Sequence, residues 1–361
     1  MTPIEKPLRV RIRRPGGYDR LEIEHFDPGA PGPGEALIEV RAAGVNYADS
    51  TIRMGLYSSA KKYVGWPITP GFEFAGVVSA LGEDVSTGRA SPSRRMQPPI
   101  RVGDEVFGVT RFGGWSSHLV VDRSLILPLP KDLSLEQAAG FPTVFLTAYY
   151  PLFVLTRLRP GETVLIHSAA GGVGGALIQL CRVVGCRIVG VVGSAHKREV
   201  AAALGADAVI DKSTQDLWRE AERAAPDGFS MILDANGAAT LRQSYRHLRP
   251  GGRLVTYGFH SMFRRGADRP DKWKLALDWL RTPRFDPLRM VMENRSVLAF
   301  NLSYLFDERE LFGDAMTDLL RWLEEGKVRP LPLRTFPVEQ VAEAQRALES
   351  GETTGKLVLT F

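Results

Sequence analysis

The residues with the sharpest chemical signal are His167-Ser-Ala-Ala-Gly-Gly-Val-Gly174, set between a short apolar run and an amphipathic one. Ala169, Gly171 and Gly174 take the three small-residue positions of a dinucleotide-binding turn, with Ala in the first. Each position has a physical reason. The lack of a side chain at 171 lets the backbone approach a pyrophosphate, and at 174 it lets helix and strand pack closely. The free N–H groups of the helix start then face the negative charge. About 20 residues later, a site for NAD places an Asp or Glu against the ribose 2′-hydroxyl. Here that stretch reads Gly193-Ser-Ala-His-Lys-Arg198. It has no carboxylate to repel a 2′-phosphate, Ser194 can donate to one, and Lys197 or Arg198 can neutralise it, so the expected cofactor is NADPH. The plain alternative for Lys197 and Arg198 is the solvated first turn of a helix.

The elements that must hold this turn follow from patterning. From residue 8 to about 130, short β-rich runs (Ala36–Val40, Gly76–Ser79, Glu105–Val109, His118–Val121) are broken by Gly and Pro clusters, which predicts a mostly antiparallel domain. Within it Thr87–Pro99 is Ser/Arg/Pro-rich and reads as an exposed loop. After Pro130, strands and helices alternate. Ser134 and Gln137 have capping-box spacing, and strands are expected at 163–167, 187–192, 208–210, 231–233 and 253–257 with helices between them. That rhythm makes a parallel sheet with helices on both faces. From about Val297 the chain is expected to return to β-rich character, with a helix at Val338–Glu349 and a last strand at Lys356–Phe361.

A chain of 361 residues suits two domains, and 44% hydrophobic with 24% charged residues argues against disorder. No run approaches a membrane span and the N-terminal stretch has no secretory core, so a cytoplasmic location is expected. Two cysteines, Cys181 and Cys186, make neither a disulfide framework nor a zinc knot. The formal charge of +5 is concentrated in residues 262–295, with nine Lys/Arg against five Asp/Glu, and no aromatic-interleaved basic motif supports nucleic-acid binding. That segment also carries Trp273, Leu277, Trp279 and Leu280. It reads as an amphipathic lid or dimer-contact helix over the cleft, in preference to a helix docked on an anionic membrane, because Asp268, Asp271, Asp278 and Asp286 weaken attraction to lipid.

Taken together, GVNYADSTIRMGLY (44–57), PGFEFAGVV (70–78), GDEVFG (103–108), AAGFPTVFLTAYY (138–150), HSAAGGVG and the closing TGKLVLTF resemble the medium-chain dehydrogenase/reductase superfamily. Within it they resemble the quinone oxidoreductase and zeta-crystallin branch, and residues 282–306 are most similar to the vesicle-amine-transport-like subgroup. The resemblance implies an α/β fold: a Rossmann doubly wound parallel sheet domain (133–296) and a GroES-like, mostly β catalytic domain (1–132 and 297–361). Zinc enzymes of the family place a Cys ligand where this chain has Asn46 and a His ligand where it has Phe72, so Glu73 alone remains and no metal site is expected. Without a Lewis acid, the acceptor must spread the incoming charge itself, as a quinone or an α,β-unsaturated carbonyl does.

The resemblance further implies that Asn46, Tyr47, Asp49, Ser50 and Thr147 line the nicotinamide end. Gly171, Gly172, Val173, Gly174, Gly193, Ser194 and Lys197 would hold the phosphates. Asn236, Tyr257, Gly258, Phe300, Asn301 and Lys356 would touch the cofactor from the opposite side, and Lys212 stands where related reductases often carry a Tyr near the adenine. Asn46 and Tyr57 are the catalytic candidates. Tyr57 would be a proton donor, or would only close one wall while solvent supplies the proton. Asp49 could equally stabilise a turn, and His118 and His167 read as packing histidines. The expected activity is hydride transfer from NADPH to a small electrophilic acceptor by a homodimer. The alternatives are an enoyl-thioester reductase of polyketide or lipid synthesis, with Arg89, Arg94 and Arg95 as a phosphate-holding rim, and an NADPH-binding, non-catalytic membrane-associated partner.

Overall fold

The computed structural model describes residues 6–83, 99–264 and 268–361. The expected loop at 87–99, apart from Pro99, and its three arginines lie outside the described residues. In chain order the strands are β1 (Leu8–Arg11), β2 (Glu22–His25), β3 (Glu35–Val45), β4 (Glu73–Leu81), β5 (Glu105–Val109), β6 (His118–Asp122), β7 (Ile126–Pro128), β8 (Thr163–Ile166), β9 (Arg187–Val192), β10 (Ala208–Asp211), β11 (Phe229–Asp234), β12 (Leu248–Thr256), β13 (Ser296–Ala299), β14 (Leu333–Pro337) and β15 (Lys356–Thr360).

Two sheets carry the molecule. The first runs β14-β15-β3-β4-β5-β7, with β6 also paired to β3, and is antiparallel except for β14 on β15. The last strand pairs with β3 in the register Leu357↔Val45, so the end of the chain returns to its first third. The second sheet is parallel throughout, in the order β10-β9-β8-β11-β12-β13. Its strands are apolar because helices cover both faces: every residue of β11 and all but Arg187 of β9 are buried. The direction of winding reverses between β8 and β11, which opens a crevice at their carboxyl ends.

The expected capping box is present, with Ser134 Oγ accepting from the Gln137 amide at 3.2 Å. The tail differs from the β-rich reading. Strand β13 pairs in parallel with β12 and belongs to the parallel sheet, so that sheet runs past the boundary expected at 296/297. A 16-residue helix, Arg309–Glu324, follows and buries Phe312, Ala315, Met316, Leu319 and Trp322 at helical spacing against the core of the parallel-sheet domain. That 3.6-residue stripe was legible in the sequence and the β-rich expectation passed over it. The expected helix at Val338–Glu349 begins as a 3-10 turn and becomes α-helical over Val341–Ser350.

Segment 268–295 departs from the lid half of its expected role and leaves the dimer-contact half open. It does reach across to the antiparallel domain: Asp268 accepts the Tyr18 amide at 2.5 Å, and its carbonyl accepts from Arg53 at 2.8 Å. Its helices, Lys272–Arg281 and Pro287–Glu293, nevertheless turn their large apolar residues outward. Trp273, Leu277, Trp279, Leu280, Leu288, Val291 and Met292 are all exposed, Trp273 and Met292 at 87%. These side chains do not cover the cleft as a lid would.

Candidate active site

The glycine turn follows β8 at the crevice. Ser168 adopts a left-handed backbone (φ 55°), which swings the chain into the helix Gly172–Val184. Gly174 is sterically required, since a Cβ there would lie 2.2 Å from the Ser168 carbonyl oxygen. At Gly171 the nearest atom to such a Cβ is that same oxygen at 3.3 Å, with otherwise open space. The amides of Val173 and Gly174 are first-turn donors without intrahelical partners beside the open space at Gly171, while Gly172 packs against Val144 and Gly355. Asn236 Nδ2, a buried polar atom without a protein partner, belongs to a side chain that meets Ser168 of the turn at 3.4 Å, and Ser50 Oγ on the opposite domain is likewise buried without a partner. An open cradle and unsatisfied donors fit a nucleotide with a pyrophosphate.

Around the adenosine end the expected residues divide. Gly193 and Ser194 follow β9, and the Lys212 amide donates to Val192 O at 3.1 Å, which sets Lys212 beside them. Arg198 and Lys212 are exposed. Lys197 is not: it is buried, and its ammonium donates to Gly351 O at 2.6 Å at the end of helix Val341–Ser350. The helix start expected to be solvated or phosphate-binding is thus partly structural at this lysine.

Across the crevice, helix Tyr47–Arg53 begins at Asn46. The Asn46 side chain is held at both ends. Its Oδ1 accepts from Lys356 Nζ at 2.5 Å, and its Nδ2 donates to Glu73 Oε1 at 3.0 Å. Lys356 also pairs with Glu73 Oε1 at 2.7 Å and donates to Val45 O at 3.0 Å, while Glu73 Oε2 accepts the Thr143 amide at 2.8 Å. The Lys356 and Glu73 side chains are both essentially buried. Removing one partner of such a pair costs on the order of 3–5 kcal/mol. Lys356, expected to touch the cofactor, has its ammonium turned to the protein interior.

Asp49 is fully buried, and its two oxygens accept the Asn46 and Gly71 amides at 2.8 and 2.9 Å. Burial pushes its carboxyl up to about 7 against the opposing pull of those bonds. Its geometry is that of a turn-stabilising group. Thr147 donates to Thr143 O at 2.6 Å within its own helix. Tyr47 meets His260 edge-on, with ring centroids 5.9 Å apart, and Phe263 at 6.0 Å. The last two belong to the segment after β12 and were not anticipated. Burial pushes His260 down to about 4, which keeps it neutral.

Tyr57 donates to Asn301 Oδ1 at 3.1 Å, and that oxygen also accepts the Ser303 amide at 3.1 Å. Burial raises the phenol above its ordinary value. The Tyr57 ring packs edge-on to Phe72, at the position where zinc relatives carry a histidine. Tyr257 and Phe300 stack with centroids 6.0 Å apart at the ends of β12 and β13, and Gly258 follows them. Among the described residues no group of three His, Cys, Asp or Glu side chains is placed to hold a metal ion.

His167 lies in a fully buried network with Ser244 (3.1 Å), whose hydroxyl donates to Asp234 Oδ2 at 2.9 Å. Asp234 Oδ1 accepts the Asn236 and Gly237 amides, so the network fixes the turn that presents Asn236. His118 shares a 3.1 Å contact with Ser117 Oγ. Both histidines are packing residues, as their apolar strands predict. Sequence reasoning missed the tie between the domains at the turn itself: Gly355, at φ 63°, donates to Ala170 O at 2.9 Å and bridges Gly171. The Gly in TGK was its only local signal.

Comparison with known proteins adds the family. A model described as "Alcohol dehydrogenase GroES-like domain" matches residues 32–131, and one described as "Zinc-binding dehydrogenase" matches 204–359. The synaptic vesicle membrane protein VAT-1 homolog of Rattus norvegicus is 35% identical over 356 residues, covering 98% of this chain and 84% of that protein. The structure of Escherichia coli quinone oxidoreductase complexed with NADPH superposes with a TM-score of 0.81 at 26% identity over 98% of this chain and all of that one. The CurK enoyl reductase structure gives 0.80 at 29% identity, covering 99% of each chain.

Proposed function

This chain belongs to the zinc-independent quinone oxidoreductase and VAT-1-like group of the medium-chain dehydrogenase/reductase superfamily, and from that membership we propose that it uses NADPH to reduce a quinone or an α,β-unsaturated carbonyl. The observation that carries the reading is the cradle at Gly171–Gly174, tied to the opposite domain at Gly355 and linked to Asn46 by the Lys356 stem that passes Gly172. It is supported by similarity to a reductase whose structure holds NADPH.

The first-turn amides of Val173 and Gly174 would hold the pyrophosphate where Gly171 and Gly172 let it approach, and Ser194, Arg198 and Lys212 would surround the 2′-phosphate. Asn236, Tyr257, Gly258 and Phe300 would wall one side of the nicotinamide end and Asn46, Tyr47, Ser50 and Thr147 the other. NADPH supplies a hydride there, which passes with a proton to a quinone, or to the β-carbon of an enone with the proton going to the α-carbon. The acceptor delocalises the charge. Self-association into a homodimer and a cytoplasmic location complete the proposal; both cysteines are unpaired and buried, and no helix among the described residues is long and apolar enough to cross a membrane.

Purified protein mixed with NADPH or NADH and a panel of 1,2-naphthoquinone, simple enones and crotonyl-thioesters tests the reading through loss of nicotinamide absorbance. Oxidation of NADPH in preference to NADH, with quinones or enones as the better acceptors, is expected. Preference for the thioester would favour the enoyl-thioester reductase reading, which the similarity to CurK supports. Tight NADPH binding without oxidation by any acceptor would favour a binding partner without turnover.

A further inference from the structure

Resting on that oxidoreductase reading, we propose that the Asn46 side-chain amide donates the hydrogen bond that receives the acceptor's carbonyl oxygen, and that Lys356 is the positioning residue which fixes and polarises it. A primary amide has one acceptor oxygen and two N–H donors. The oxygen of Asn46 takes the Lys356 ammonium at 2.5 Å, and one N–H goes to Glu73 at 3.0 Å. The second N–H belongs to a half-buried side chain at the head of helix Tyr47–Arg53, one lysine length from Gly172 at the glycine turn. The amide cannot flip, because that would set its NH2 against an ammonium and its oxygen against a carboxylate. An oxygen bonded to a buried cation also withdraws density from the amide nitrogen, which strengthens the remaining donor.

Lys356 is not an acid in this arrangement. Its three N–H groups go to Val45 O, Asn46 Oδ1 and Glu73 Oε1. Room for the cluster is made by glycines. A Cβ at Gly44 would lie 2.1 Å from Glu73 Oε1, one at Gly140 would lie 2.8 Å from Lys356 Cγ, and one at Gly172 would touch Lys356 Cδ at 3.9 Å. The lysine stem therefore passes the first residue of the phosphate-turn helix on its way to Asn46. Gly355, which precedes it, is bonded to Ala170. Cofactor cradle and acceptor donor are held by one segment, so the donor sits at a fixed place before charge develops, which is where such a bond contributes most.

The test uses Lys356→Met, Asn46→Ala and the double variant Glu73→Gln/Lys356→Met. The single lysine variant strands a buried carboxylate and is expected to lose thermal stability. The double variant removes both charges and is expected to recover that stability and to bind NADPH within about threefold of wild type by fluorescence. Its kcat with 1,2-naphthoquinone is expected to fall about 10- to 100-fold with little change in KM, up to the lower end of the roughly 100- to 1,000-fold loss that removing an oxyanion donor itself causes. Adding Asn46→Ala to the double variant should cost little more, because both changes disable one donor. A double variant within twofold of wild-type turnover would overturn the proposal while leaving the oxidoreductase reading intact. Wild-type protein that binds NADPH yet reduces no acceptor would overturn both.

Discussion

Tyr57 shows how far a single residue can be read. Its place in a G-x-Tyr context was visible in the sequence, but its partner Asn301 stands 244 positions away and no local pattern joins them. Burial keeps the phenol protonated through the neutral range, so a proton is present beside the acceptor wall. Whether it is used depends on the acceptor. A reduced quinone takes its protons on oxygen, which water delivers easily, whereas an enone ends as an enolate that needs a proton at carbon. Tyr57→Phe is therefore expected to leave quinone reduction within about threefold and to lower enone reduction about 100-fold or more, within the roughly 100- to 10,000-fold usual for a general acid. Parallel steady-state assays on the two acceptors check this, and an unchanged enone rate would assign the proton to solvent.

The glycine turn is the element whose geometry most constrains function, and its two later glycines do different work. Gly174 is a packing position, because a methyl group would meet the Ser168 carbonyl at 2.2 Å. Gly171 is a ligand position, because a methyl group would stand mainly in the open cradle. Gly174→Ala is expected to lower stability by about 1–3 kcal/mol, the usual cost of overpacking, with a lower thermal midpoint even without cofactor. Gly171→Ala should unfold near the wild-type temperature while its Kd for NADPH rises about tenfold or more. Calorimetric scans paired with binding titrations separate the two; equal midpoints for both variants would contradict the steric argument. This element was legible because its spacing encodes its shape. Lys197 was legible only in part, since its ammonium turns to Gly351 on a helix 154 residues later.

At the scale of the whole molecule, the uncovered features lie together. Strand β13 is the terminal strand of the parallel sheet, with one edge unpaired among the described residues, and it follows directly after the outward-facing Leu288, Val291 and Met292. An exposed strand edge beside a large apolar face is what association covers. A second copy related by a two-fold axis could pair the same edge and bury the same side chains. Light scattering after gel filtration is expected to give twice the 39.8 kDa chain mass, and Val291→Asp with Met292→Glu to give one. A monomeric wild type that floats with anionic vesicles would assign this face to a membrane instead.

The sequence alone determined the phosphate turn, the alternation that makes a parallel sheet, the family motifs and the loss of metal ligands at 46 and 72. These are local in the chain, where spacing and residue type settle the outcome. Tertiary structure decided which side chains share a bond across hundreds of residues: Lys356 with Asn46 and Glu73, Tyr57 with Asn301, Lys197 with Gly351, Asp268 with Arg53. It also decided which face of helices 272–281 and 287–293 looks outward, because the two apolar-bearing sides of such a segment are told apart only by what packs beneath it. A long charged side chain reaches whatever buried partner the fold brings near, and that nearness is a property of packed layers, not of spacing.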